Sequence, residues 1–267
     1  MSQQNTAAPV YRIDLPHAEA VVDGAGIATL RITNAKSANI LGTPVILDLT
    51  TALTGLAQRT GIRALVLRGS GDKAFAAGAD IHEMARLDQR SAEQFIDRLR
   101  VLCEAVRLFP VPVICRIPDW TLGGGLELAM ACDLRISSDT ARFGMPEVAV
   151  GIPSVIHAAL MPRLIGAARA SWMILTGESI DAGTALSWGL VDETCPLEEL
   201  DARVAEHAAR FARFGPAVLR QQKRLLREWE GRTVSDAATA SVAEFGAAFT
   251  TGEPQTYMQP FLDRAAR

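Results

Sequence analysis

The chain has 267 residues, 49% hydrophobic and 21% charged, with a formal net charge of −3; this is ordinary globular composition, enough for one large domain or a domain with an appendage. The slightly acidic balance argues against a polyanion-binding protein, so no nucleic-acid partner is expected. No window approaches the ~18 consecutive apolar residues of a membrane span, and residues 1–10 lack the Lys, Arg and apolar block of a leader segment, so the protein is expected in the cytoplasm and away from membranes.

Residues 1–10 read as a frayed tail. Ala25 to Ile32 alternate as a strand. Thr43 and Pro44 predict a helix start, with Thr43 as N-cap and Pro44 at the first helical position; Ile46, Leu49, Leu53, Leu56 and Ala57 give that helix one apolar face. Ala64 to Leu67 is a short buried strand closed by the turn Arg68-Gly69-Ser70-Gly71. Ser91 with Gln94 reads as a capping box for a helix carrying Phe95, Leu99, Leu102, Cys103 and Val106. Val111 to Ile117 is a strand, Leu126 to Cys132 an apolar helix after three glycines, and Leu134 to Ser137 another strand. Strands alternating with helices predict an α/β fold with a parallel sheet. After Cys195-Pro196 the pattern turns helical over 197–213, 215–230, 233–249 and 253–266. The chain thus divides into a mixed region, 1–200, and a helical region, 201–267, which either covers the first or joins subunits. Cys103, Cys115, Cys132 and Cys195 have no C-x-x-C spacing and read as buried free thiols of a reducing compartment.

Three stretches could carry chemistry. Lys73 to Ile81 (KAFAAGADI) is a run of small residues that lets backbone N–H groups approach a ligand. Leu122 to Ala129 (LGGGLELA) puts three glycines at the start of a helix, where unpaired N–H groups collect. It is no dinucleotide fingerprint, because Leu128 stands where the third glycine is required, and no Gly-Lys-Ser/Thr is present. Within it, Glu127 sits among Leu126, Leu128, Ala129 and Met130, where burial would raise its pKa and make it a proton donor or acceptor near neutrality. Arg142 to Glu147 (RFGMPE) offers a second carboxylate, Glu147; two carboxylates at one centre form a general acid/base pair. Each residue also has a plain structural reading, as a turn, a surface glutamate or a loop carboxylate.

Taken together, DKAFAAGADIHEM (Asp72 to Met84), GGGLELAMACD (Gly123 to Asp133), RFGMPE and the late FTTGEP (Phe249 to Pro254) resemble, in order and spacing, the crotonase (enoyl-CoA hydratase/isomerase) superfamily, from about residue 25 to about residue 265. The resemblance implies a crotonase-type spiral of ββα units with a C-terminal all-helical oligomerisation region, and a homotrimer or homohexamer. It implies an acyl-CoA thioester as substrate, with coenzyme A as part of it and no separate cofactor or metal. Residue by residue, it implies an oxyanion hole from the Ala79 and Gly124 N–H groups and proton handling by Glu127 and Glu147. Ala77, Ala79 and Ile81 would line the adenine end of CoA and Lys73 would contact a phosphate. Lys223 could reach the CoA phosphate of a neighbouring subunit.

The sequence departs from the family's glycine-rich pattern after the second glutamate: Gly151 to Gly166 reads GIPSVIHAALMPRLIG. The acyl pocket is therefore expected to differ in shape, with His157 a candidate third proton-handling group. Ala35 to Leu41 (AKSANIL) keeps Asn39 but lacks the usual Arg-Pro, so phosphate or pantetheine contacts are expected to differ. His82 is a poor metal ligand, having no convergent partner. The expected reaction is hydration of a 2-enoyl-CoA. The alternatives are another crotonase chemistry (isomerase, decarboxylase or thioester hydrolase) or a non-catalytic acyl-CoA-binding protein.

Overall fold

The computed structural model describes residues 10–265; the tail expected over residues 1–10 lies outside them except for Val10, as does residue 266 of the last expected helix. In chain order the elements are β1 (Tyr11–Leu15), β2 (Ala18–Val22), β3 (Ile27–Ile32), α1 (Thr43–Ala57), β4 (Ala64–Arg68), β5 (Ala74–Ala76), α2 (Ile81–Met84), α3 (Gln89–Arg107), β6 (Val113–Ile117), β7 (Trp120–Leu122), α4 (Gly124–Ala131), β8 (Leu134–Ser138) and β9 (Arg142–Gly144). They continue as α5 (Met161–Ile165), α6 (Ala167–Thr176), β10 (Ser179–Asp181), α7 (Ala182–Trp188), β11 (Glu193–Cys195), α8 (Leu200–Ala212), α9 (Pro216–Trp229), α10 (Val234–Ala248) and α11 (Glu253–Ala265).

Seven strands form one sheet in the order β1-β2-β3-β4-β6-β8-β11, and four form a second in the order β10-β9-β7-β5. From β3 onward the large sheet is parallel. The pairs β4/β5, β6/β7 and β8/β9 each give one strand to the large sheet and one to the small sheet before a helix follows. This is the spiral of ββα units that the resemblance implies.

The parallel strands read as unbroken apolar runs because both faces of the sheet are covered. Leu65, Leu67, Val113, Cys115 and Ile117 enter the main core with α1 and α3. The alternate residues Ala64, Val66, Ile114 and Ile136 pack instead on Leu200, Val204 and Ala208 of α8. All four cysteines are buried and unpaired.

Several expectations need correction. Thr43 is not an N-cap: Gly42 holds that position, Thr43 and Pro44 open the first turn, and the Thr43 hydroxyl and N–H both donate to the Glu83 carboxylate. The capping box lies three residues earlier than expected, with Asp88 as N-cap accepting the Ser91 N–H and the Ser91 hydroxyl accepting the Asp88 N–H in return. The strand assigned from Val111 begins at Val113. The β1–β2 hairpin and the whole small sheet have no counterpart in the sequence reading; their three- to five-residue strands carry too few residues for a period to emerge.

Asn39, in the left-handed region at φ 54°, ties the first turn of the spiral to the second. Its side chain accepts from Ser70 N–H at 3.1 Å and donates to the Ala74 carbonyl at 2.9 Å. The Leu41 N–H then donates to the Gly78 carbonyl at 2.9 Å, and Leu41 bridges Ala79 in parallel. These contacts seat the loop 77–81 beside α4.

Candidate active site

The loop after β5 and the start of α4 converge because their backbones almost touch. A methyl group on Gly125 would overlap the Ala76 carbonyl, and one on Gly124 would stand 2.7 Å from a Leu99 methyl and 3.9 Å from Ala79 N. Only glycines permit this approach of helix to strand.

Around Ala79 the neighbouring backbone groups are already paired. The Ala77 N–H donates to Ala38 O at 3.0 Å and the Asp80 N–H to Leu41 O at 3.3 Å. Ala79 N–H and Gly124 N–H, the latter at the open end of α4, have no protein acceptor among the described residues. Two unpaired amide donors from adjacent turns of the spiral thus belong to residues that border the same space.

That space is a cavity of about 110 Å³. Ala77, Ala79, Ile81, Gly124, Glu127 and Glu147 all line it, with apolar walls from Ile96, Leu99, Leu122, Ile152 and Val155. Of the seven residues Lys73, Ala77, Ala79, Ile81, Gly124, Glu127 and Glu147, six therefore meet at one cavity. The seventh, Lys73, is exposed at the approach to β5 and is not one of its walls.

Glu127 is 3% exposed, and its Oε1 accepts the Ala158 N–H at 2.8 Å. Burial pushes its pKa up to about 8, the Ala158 amide opposes that, and nearby Glu147 adds to it. Glu147 stands in a 3-10 turn, Pro146–Val150, opened by a proline and closed by Gly151 at φ 79°. Its pKa is also raised by burial, against the pull of its own amide and of Ser154, whose Oγ donates to Oε2 at 2.9 Å. Its Oε1 lies over Gly123, at φ 50°, where any side chain would collide with the carboxylate.

Two sequence expectations fail here. His157 does not enter the cavity: it is buried with its Nε2 3.1 Å from Glu104 Oε2, on the far side of the Ile156–Leu160 turn, and burial lowers its pKa. Its peptide neighbour, Ala158, is the one that reaches Glu127. Lys223 cannot extend toward a neighbouring subunit, because it is 5% exposed and donates to Asp133 Oδ2 at 2.6 Å and to the Val111 carbonyl at 3.0 Å. It locks α9 onto the spiral instead.

Sequence reasoning missed Ser154, Ala158 and the role of Gly123. The bulky segment 151–157 had signalled a rebuilt pocket, but nothing in it indicated which groups would touch the carboxylates.

The cavity thus brings two unpaired amide donors together with buried Glu127 and half-buried Glu147 at the junction of a ββα spiral. A family model described as enoyl-CoA hydratase/isomerase matches residues 23–266, and the chain belongs to that family. Over 239 residues it is 33% identical to the crotonyl-CoA hydratase of Syntrophomonas wolfei and 30% identical to the short-chain-enoyl-CoA hydratase of Clostridium acetobutylicum, in each case covering 89% of this chain and 92% of the relative. Among solved structures, the enoyl-CoA hydratase of Mycobacterium smegmatis superposes with a TM-score of 0.90 at 25% identity, over 94% of this chain and 97% of that one.

Proposed function

We propose that the protein is an enoyl-CoA hydratase that adds water across the double bond of a 2-enoyl-CoA. The observation that carries this reading is the meeting of two free amide donors with a carboxylate pair at one cavity. The thioester oxygen would sit between Ala79 N–H and Gly124 N–H. As water oxygen bonds to Cβ, Glu147 takes the water proton and negative charge moves onto the thioester oxygen. Each fixed donor is worth ~2.7–4 kcal/mol to that enolate. Glu127, which holds its proton near neutrality, delivers it to Cα. The product gains one water, and the two carboxylates have exchanged a single proton, which a further transfer between them restores. Because a carboxylate pair titrates as a unit, the division of labour belongs to the pair as a whole.

Ala77 and Ile81, at the cavity mouth, suit the adenine end of CoA, and exposed Lys73 suits a phosphate. The chain is read as a spiral core over 1–200 carrying the acyl-CoA site and a helical region over 201–267. An assembly of three or six copies is supported by the apolar side chains left open on the last two helices: Val242, Phe245, Phe261 and Leu262 are 61–75% exposed. Phe245 and Phe261 border a groove of about 690 Å³ shared with α9. No described helix is long and apolar enough to cross a membrane.

The test is the loss of conjugated-enone absorbance with crotonyl-CoA, longer enoyl-CoAs and aromatic enoyl-CoAs, with product mass measured alongside. A gain of one water supports hydration. An unchanged mass points to isomerisation, and no reaction with any of them overturns the proposal.

A further inference from the structure

One short segment holds both carboxylates. Ser154 Oγ donates to Glu147 Oε2 at 2.9 Å, and four residues later the Ala158 N–H donates to Glu127 Oε1 at 2.8 Å. Between them Ile156 is forced to φ 38°, a conformation that a β-branched residue keeps only when its surroundings impose it. Those surroundings include buried His157, whose contact with Glu104 fastens the segment to α3, the helix whose Ile96 and Leu99 wall the cavity.

We propose that Ser154–Ala158 is a strap that sets the two glutamates relative to each other, with Ser154 as the positioning residue for Glu147; this rests on the hydratase reading above. A carboxylate that takes a proton must present a defined lone pair to the water. Ser154 engages Oε2, which leaves Oε1 against Gly123, the residue before Gly124. The ionisable group facing Glu147 across the cavity is Glu127. Without the hydroxyl, the Glu147 carboxylate can rotate and binds its proton more tightly.

The experiment compares Ser154→Ala, Ser154→Thr and the double variant Ser154→Ala/Glu147→Gln in the full chain. Hydration kinetics are measured across pH, and the Glu147 carboxyl is titrated by 13C NMR of labelled glutamate. In Ser154→Ala, kcat should fall about 10-fold with KM within about twofold. The acid limb of the rate profile and the Glu147 titration should both move to higher pH. Ser154→Thr should restore most of the rate. In the Glu147→Gln background, removing the hydroxyl should cost nothing further, because the two groups act as one unit. An active wild type with a Ser154→Ala variant silent in both readouts overturns the strap proposal, as does an equal loss in the Glu147→Gln background. A wild type that hydrates nothing while the Glu147 titration still moves in Ser154→Ala overturns the functional reading and leaves the Ser154–Glu147 contact standing.

Discussion

Glu147 can occupy its place only because residue 123 has no side chain. Its Oε1 fills the position where a Cβ on Gly123 would stand, and Gly123 itself is at φ 50°. One glycine thus opens the α4 N-terminus and makes room for a carboxylate from the turn after β9.

Gly123→Ala should therefore damage the site twice over, through left-handed strain of ~1–3 kcal/mol and through displacement of Glu147. Activity should fall at least 100-fold while the large sheet survives. Hydration rate read beside far-UV circular dichroism and urea unfolding separates the two effects.

Glu127→Gln and Glu147→Gln each keep shape and remove proton transfer. A positioned acid or base contributes ~10²–10⁴-fold, so kcat should drop by that order with acyl-CoA affinity largely retained. Calorimetric binding of a saturated acyl-CoA alongside turnover checks this; a variant with near-normal kcat would remove that glutamate from the mechanism.

The elevated Glu127 pKa also has a stability consequence. The folded state holds the Glu127 proton up to about 8, against a usual glutamate value near 4.5. Between those pH values the folded chain binds more protons than the unfolded one, so this residue's contribution to stability falls as pH rises. Glu127→Gln should lose that slope and be more stable than wild type by several kcal/mol at pH 8.5. Urea midpoints at pH 5.5, 7 and 8.5 test the sign. The same proton should give kcat/KM an alkaline limb near pH 8 in the wild type.

Lys223 is not one of the cavity walls but is buried inside the fold. Breaking a buried ion pair by removing one partner costs ~3–5 kcal/mol, and Asp133 keeps Arg227 and the Val113 N–H as partners, so Lys223→Ala should fall at the low end. Its CoA affinity should match wild type. A weakened CoA complex in a fully folded Lys223→Ala protein would restore the phosphate-binding expectation.

The residues that line the cavity could be singled out in the sequence because each leaves a local mark. Small residues precede a free amide at Ala79, glycines open α4, and Glu127 stands alone in an apolar run. What failed depended on geometry between distant segments. Lys223 reads as a solvated lysine on an amphipathic helix until Asp133, 90 residues away, is seen beside it. His157 and Ala158 are adjacent in sequence but face opposite sides of one turn, and only the backbone path through Ile156 decides which reaches Glu127. The strands β5, β7 and β9 have three residues each, too short for any periodicity to be visible.

Those short strands have a further consequence. The segments bearing Ala79 and Gly124 leave β5 and β7, which pair side by side with Ala76 opposite Thr121. Neighbouring strands lie ~4.8 Å apart whatever their side chains. The spacing of the two segments is therefore set at their roots by peptide geometry itself, and the walls and mouth of the cavity can be recut without moving β5 from β7.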